Sequence, residues 1–161
     1  MGSSRSVAGG LGEKTKLTLL NGVGITPRNG TTTNQRAKSG GYMVDSISNF
    51  FEAWAIANAE LREEKIKGAV AADVQYVDPR TPETLHGMLA VNDYVSMFGA
   101  YAPGWSAKVI KRDIVGGVYR VTVAFSGAGV DGSVQTQLGQ YFVEKDGELI
   151  SRMVGFVGTG D

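Results

Sequence analysis

"VQYVDPRTPETLHG", residues 74–87, decides how the rest of the chain is read. It begins as a strand whose side chains alternate between two faces, so Tyr76 and Asp78 share one of them. The strand ends on the Asp-Pro pair, because proline cannot continue a ladder and Asp-Pro favours a turn. An acid on the same face as an aromatic side chain, at the end of a strand and under a helix, is partly desolvated. Such a carboxylate suits proton transfer. It also suits a plain structural task, in which its oxygens cap the turn that follows. Both readings of Asp78 stay open at the level of the sequence.

Upstream of this strand, Ile47, Phe50, Phe51, Trp54 and Leu61 follow helical spacing, with Asp45 or Ser46 as N-cap. A shorter second helix is predicted from about Glu60 to Val70. Downstream, Val91, Tyr94, Val95 and Phe98 mark a third helix closed by "GAYAPG". Four strands then follow at 105–115, 118–126, 133–145 and 149–157. They are separated by "VGG", "GAGVDG" and "KDG". The order helix, helix, strand, helix and antiparallel meander predicts an α+β domain. Several of the late strands carry large apolar groups on both faces. One face is expected to pack on the helices. The other, read as Tyr141, Val143, Val154 and Phe156, is expected to meet a second copy in a homodimer.

The chain has 161 residues, no cysteine, one histidine, and equal numbers of basic and acidic residues. That length fits one domain able to bury a full core. Disulfides, thiolate metal sites and a cysteine nucleophile are excluded, and a His-rich metal site has no residues to build it. No metal and no cofactor is therefore expected. No apolar run reaches the length of a membrane span, and no secretory signal pattern opens the chain. The expectation is a cytoplasmic protein that does not bind membranes.

The neutral total conceals an asymmetry. Residues 1–42 hold six basic residues against one acid, with much Gly, Ser, Thr and Asn. Such a segment buries too little apolar surface to offset its ordering entropy. It is read as a flexible basic leader, vector-derived or translated from upstream. The single domain is then 43–161, with a natural start at Met43. Use of the leader as a nucleic-acid arm is the weaker reading. His86 is read as a local capping or packing residue, and Lys111 with Asp113 as a surface pair.

The order "FFEAW…VAADVQYVDP…LHG…VEKDGELI" resembles the nuclear transport factor 2-like superfamily of cone-shaped α+β barrels. Its polyketide-cyclase-like (SnoaL-like) and ketosteroid-isomerase-like branches are the nearest. The resemblance covers about residues 44–158. It implies a curved, mostly antiparallel sheet wrapped around a long N-terminal helix, with two further helices. It also implies a cavity for a small hydrophobic molecule. In the isomerase branch the aspartate of the "DP" pair is the general base, a role that falls on Asp78. The tyrosine donor of the first helix corresponds to Trp54, and the second aspartate to Gln140. Those two positions have changed residue type, and an indole N–H donates a hydrogen bond without acting as an acid.

The expected cavity is walled by Trp54, Tyr76, Tyr94, Tyr119, Val121, Gln140 and Met153. The function expected is that of a cofactor-independent isomerase, cyclase or hydrolase using Asp78 for proton transfer. The alternative is a non-catalytic ligand-binding or dimerising module of the same fold.

Overall fold

The computed structural model describes residues 45–161. The leader assigned to 1–42 lies outside the described residues.

The Asp45 carboxylate accepts the backbone N–H of Ser48 at 3.1 Å and so starts helix α1, Ser46–Glu52. The helix expected to run on to Leu61 stops early. The chain tightens into a 3₁₀ turn at Ala53–Ala55 and becomes extended at Ile56. Asn58 then caps α2, Ala59–Lys67, by accepting the N–H of Leu61 at 2.9 Å. A capping asparagine competes with helical continuation through the same bond. The break rotates the pattern: Leu61 is exposed, and Arg62 and Ile66 turn inward. Gly68 ends α2 before the predicted boundary, and Val70 already belongs to β1, Val70–Val77.

A two-residue strand, β2 (Leu85–His86), pairs with β1 and leads into α3, Met88–Tyr101. His86 is exposed in that ladder and does not cap α3, whose N-cap is Gly87. The meander follows as β3 (Ser106–Val115), β4 (Val118–Ala128), β5 (Val134–Asp146) and β6 (Leu149–Val157). The strand order is β2-β1-β6-β5-β4-β3. Among the described residues only β1 and β6 run parallel, and the sheet stays open, with β2 and β3 at its edges. The α+β class holds. The N-terminal helix is short and broken where a long one was expected, and the barrel is an unclosed sheet.

Register decides which strand faces meet the helices. From Asp146↔Leu149 to Lys145↔Ile150 the β5–β6 hairpin pairs regularly. The register then shifts, so that Glu144 pairs with Arg152 and Tyr141 with Gly155. This bulge at Ser151 puts Met153, in place of Val154, on the inner face with Tyr141 and Val143. It leaves Gln140, Phe142, Val154 and Phe156 on the outer one. The outer face predicted from alternation therefore needs correcting. Tyr141 is 4% exposed and Val143 is fully buried, while Phe142 and Phe156 stand outside with ring centroids 5.8 Å apart.

The core is an aromatic cluster from α1 and the inner sheet face. Phe51 meets Tyr141 edge-on at 4.9 Å between centroids, and Phe50 lies 6.1 Å from Tyr76. Trp54 packs between Phe98 and Phe125, at 4.9 and 5.6 Å.

Candidate functional site

Asp78 follows the last residue of β1. Its neighbour on the inner face is Gly155 of β6, which admits it closely. A Cβ built on Gly155 would stand 3.0 Å from the Asp78 Cβ and 2.5 Å from a ring carbon of Tyr141. Glycine at this point brings the acid and the phenol ring together.

Both carboxylate oxygens are occupied. Oδ1 accepts the backbone N–H groups of Arg80 at 2.8 Å and Thr81 at 3.1 Å, which is the turn cap. Oδ2 accepts the hydroxyls of Tyr76 at 2.7 Å and Tyr94 at 2.6 Å. A carboxylate offers about four acceptor positions, and all are filled. Asp78 is thus both a turn cap and the centre of a phenol cluster, and the two readings left open by the sequence are combined in one residue.

Burial of Tyr76 raises its pKa well above the usual tyrosine range, with the nearby Tyr141 and Asp78 adding to the rise. Burial raises that of Tyr94 as well, reinforced by its hydrogen bond to Asp78. Tyr141 is raised by burial and by the Asp78 charge, while a hydrogen bond with Tyr76 acts the other way. All three phenols are therefore held neutral around one acid.

Asp78 borders a gap of about 20 Å³, shared with Pro79, Phe125 and Tyr141. The open space lies one side chain further out. A cleft of about 390 Å³ is lined by Arg80, Tyr94, Met97, Phe98, Trp105, Phe125 and Gln137, among others. Of the phenols bonded to Asp78, Tyr94 alone reaches this cleft. Trp105 forms one wall because Gly127 leaves room for its ring: a Cβ there would stand 2.3 Å from it.

The expected wall residues divide into separate groups. Tyr76, Tyr94 and Asp78 are joined by hydrogen bonds. Val121 and Met153 are buried in the packed core. Tyr119 lies partly buried against that core, with the Lys145 ammonium 5.8 Å from its ring centroid. Trp54 is buried and lines a different cleft, on the other side of the α3 end. Gln140 pairs with Phe156 on the outer face, so the β5 amide that reaches the cleft is Gln137.

Sequence reasoning missed Gln137, Arg80, Phe98, Trp105 and Tyr141. Alternation along β5 puts Gln137 on the same face as Tyr141, the face expected to turn outward. That signal was present but assigned to the wrong side. The Lys111 and Asp113 pair is also replaced: Asp113 takes a two-point contact from Arg120 on β4, at 3.1 and 2.7 Å. That contact lowers the Asp113 pKa. No cluster of metal-ligating side chains occurs among the described residues, and none of their helices is long and apolar enough to cross a membrane.

No family model matches the chain, and no curated protein matches it. Solved structures do. A SnoaL-like family protein from Agrobacterium tumefaciens str. C58 superposes with a TM-score of 0.60 at 22% identity. The match covers 71% of this chain and 95% of that one. A protein with a ketosteroid isomerase-like fold from Catenulispora acidiphila DSM 44928, solved with trimethylamine, gives 0.57 at 16% identity. It covers 70% of this chain and 84% of its own. A de novo designed protein with a curved β-sheet gives 0.53 at 17%, over 70% and 82%. The fold is that of the nuclear transport factor 2-like superfamily. These likenesses, all below 25% identity, show the fold alone, and one fold hosts many activities.

Proposed function

We propose that this chain, built on the nuclear transport factor 2-like fold, binds a small and mostly apolar molecule in the cleft beside Tyr94. There it moves a proton without a cofactor. The observation that carries this is the single side-chain path from the cleft to Asp78. Its four acceptor positions are taken, and the one partner side chain that also lines the cleft is Tyr94.

The proton route then runs through the phenol. A C–H or O–H bond of the bound molecule breaks and its proton goes to the Tyr94 oxygen. The original Tyr94 proton passes to Asp78 Oδ2 along the 2.6 Å bond. The phenol stays neutral throughout, in keeping with its raised pKa. Arg80 and Gln137 line the same cleft and are the groups placed to hold an oxygen of the ligand as charge develops. The Trp54 indole and Gln140, assigned that task from the resemblance, lie elsewhere.

The test is a thermal-shift screen of steroids, lactones, epoxides and aromatic polyketides on the full chain. Turnover of each stabilising compound is then measured with wild type and Tyr94→Phe. The expected result is retained binding and a loss of turnover on the order of 10²–10⁴ in Tyr94→Phe. Absence of any stabilising compound, or full turnover in Tyr94→Phe, would overturn the proposal.

The second reading is a non-catalytic ligand-binding or dimerising module. The turn cap at Oδ1 favours it, since that bonding is complete without any ligand. In either reading the outer face of β5 and β6, with Phe142 and Phe156 exposed side by side, is the surface proposed for a homodimer.

A further inference from the structure

We infer that the cleft between the 3₁₀ turn, α2 and the end of α3 is a second binding site, which takes a small organic carboxylate. Arg62 is its centre. The side chain is buried, yet among the described residues no carboxylate pairs with it. Its Nη1 donates to the carbonyl oxygens of Ile56 at 3.0 Å and Ala57 at 3.5 Å, and its Nη2 to Ser96 Oγ at 3.0 Å. These partners are neutral, and Nε–H has none. A buried cation held only by neutral groups keeps its charge uncompensated.

Beside it lies a cleft of about 350 Å³, lined by Trp54, Ile56, Arg62, Ser96, Gly99 and Trp105 among others. A second buried donor without a partner, the Trp54 indole N–H, belongs to the same wall. Both residues line one space, and the guanidinium among them has no countercharge. The planar guanidinium fork matches a planar carboxylate better than a spherical anion. The two indoles and Ile56 require that the acid carry an apolar body, and the volume suits a molecule of one ring or a short branched chain. This cleft shares Trp105 with the Tyr94 cleft but is centred on Arg62, and it does not rest on the function proposed there.

Benzoate is the probe, with neutral benzamide as its isostere, both titrated into the full chain at constant ionic strength. The Arg62 Nε–H and Trp54 Nε1–H resonances are followed by NMR. Benzoate should shift both saturably and bind at least about tenfold more tightly than benzamide. Gly99→Leu adds a side chain at the cleft wall, where a Cβ meets nothing within 4 Å. It should weaken benzoate at least about tenfold. Arg62→Lys keeps the charge and loses the fork, and should erase the preference for benzoate. No saturable shift, an equal response to benzamide, shifts centred on Arg80 and Tyr94 instead, or unchanged binding in a folded Gly99→Leu protein would each overturn the inference. Should Gly99→Leu not fold, an undiminished benzoate preference in Arg62→Lys overturns it alone.

Discussion

Asp78 at the end of β1 and Arg62 on α2 are exposed to nearly the same small extent, 7% and 8%. Asp78 collects four donors, two from backbone and two from phenols. Arg62 gives three bonds to neutral oxygens and leaves Nε–H unpaired. The difference teaches that burial alone does not tell a charge closed to direct ligand contact from one still open to it. What distinguishes them is how completely the hydrogen-bonding capacity is used, because an unmade bond in the interior costs more than a made one contributes.

The largest expected effect lies on the Asp78 side. Asp78→Ala leaves two phenols and two backbone N–H groups without their acceptor. It should cost about 3–4 kcal/mol in urea unfolding. Asp78→Asn keeps one carbonyl oxygen for the turn, and the phenol hydroxyls can reorient to accept from its amide. It should cost less than half as much, about 1–1.5 kcal/mol. Equal costs for the two variants would break the account of a saturated carboxylate.

Gly155→Ala presses a methyl group between Tyr141 and Asp78. Overpacking of this kind should cost about 2 kcal/mol by the same measurement.

The phenols give a pH signature. A tyrosine whose folded pKa is raised contributes stability that is fully present below its unfolded value near 10 and is lost as pH rises beyond it. Stability should therefore fall above about pH 10, by up to roughly 1.4 kcal/mol per pH unit for each phenol still protonated in the folded state. Removing one of them in Tyr94→Phe should flatten the slope. A slope unchanged in that variant would show that Tyr94 is not held neutral by the fold.

On the Arg62 side the smallest effect is expected. Arg62→Met loses three hydrogen bonds but also removes an uncountered buried charge. These terms oppose each other, so the net change should stay within about 1 kcal/mol. A loss approaching that of Asp78→Ala would mean that Arg62 is as structural as the acid, and the comparison would collapse.

Much of the fold was legible because local chemistry writes it directly. Asp45 caps α1, "GAYAPG" closes α3, and the glycines of "VGG" and "KDG" take the positive φ their turns require. The Asp-Pro turn and its companion Tyr76 were legible for the same reason: two residues apart on a strand is a fixed relation. The second helix was expected from about Glu60, but the early stop of α1 was not legible, since Asn58 can cap a new helix or sit within a long one, and only packing of Arg62 and Ile66 decides.

The sidedness of β5 and β6 was likewise undetermined. Alternation sorts a strand into two sets but does not say which set faces in. A single bulge at Ser151 exchanges the sets across the hairpin. That shift puts Met153 and Gly155 with Tyr141 and Val143, and Val154 and Phe156 with Gln140 and Phe142. The sequence determined which residues travel together. The tertiary structure alone decided where they point, because one extra residue in a ladder leaves no mark in the pattern of apolar and polar side chains.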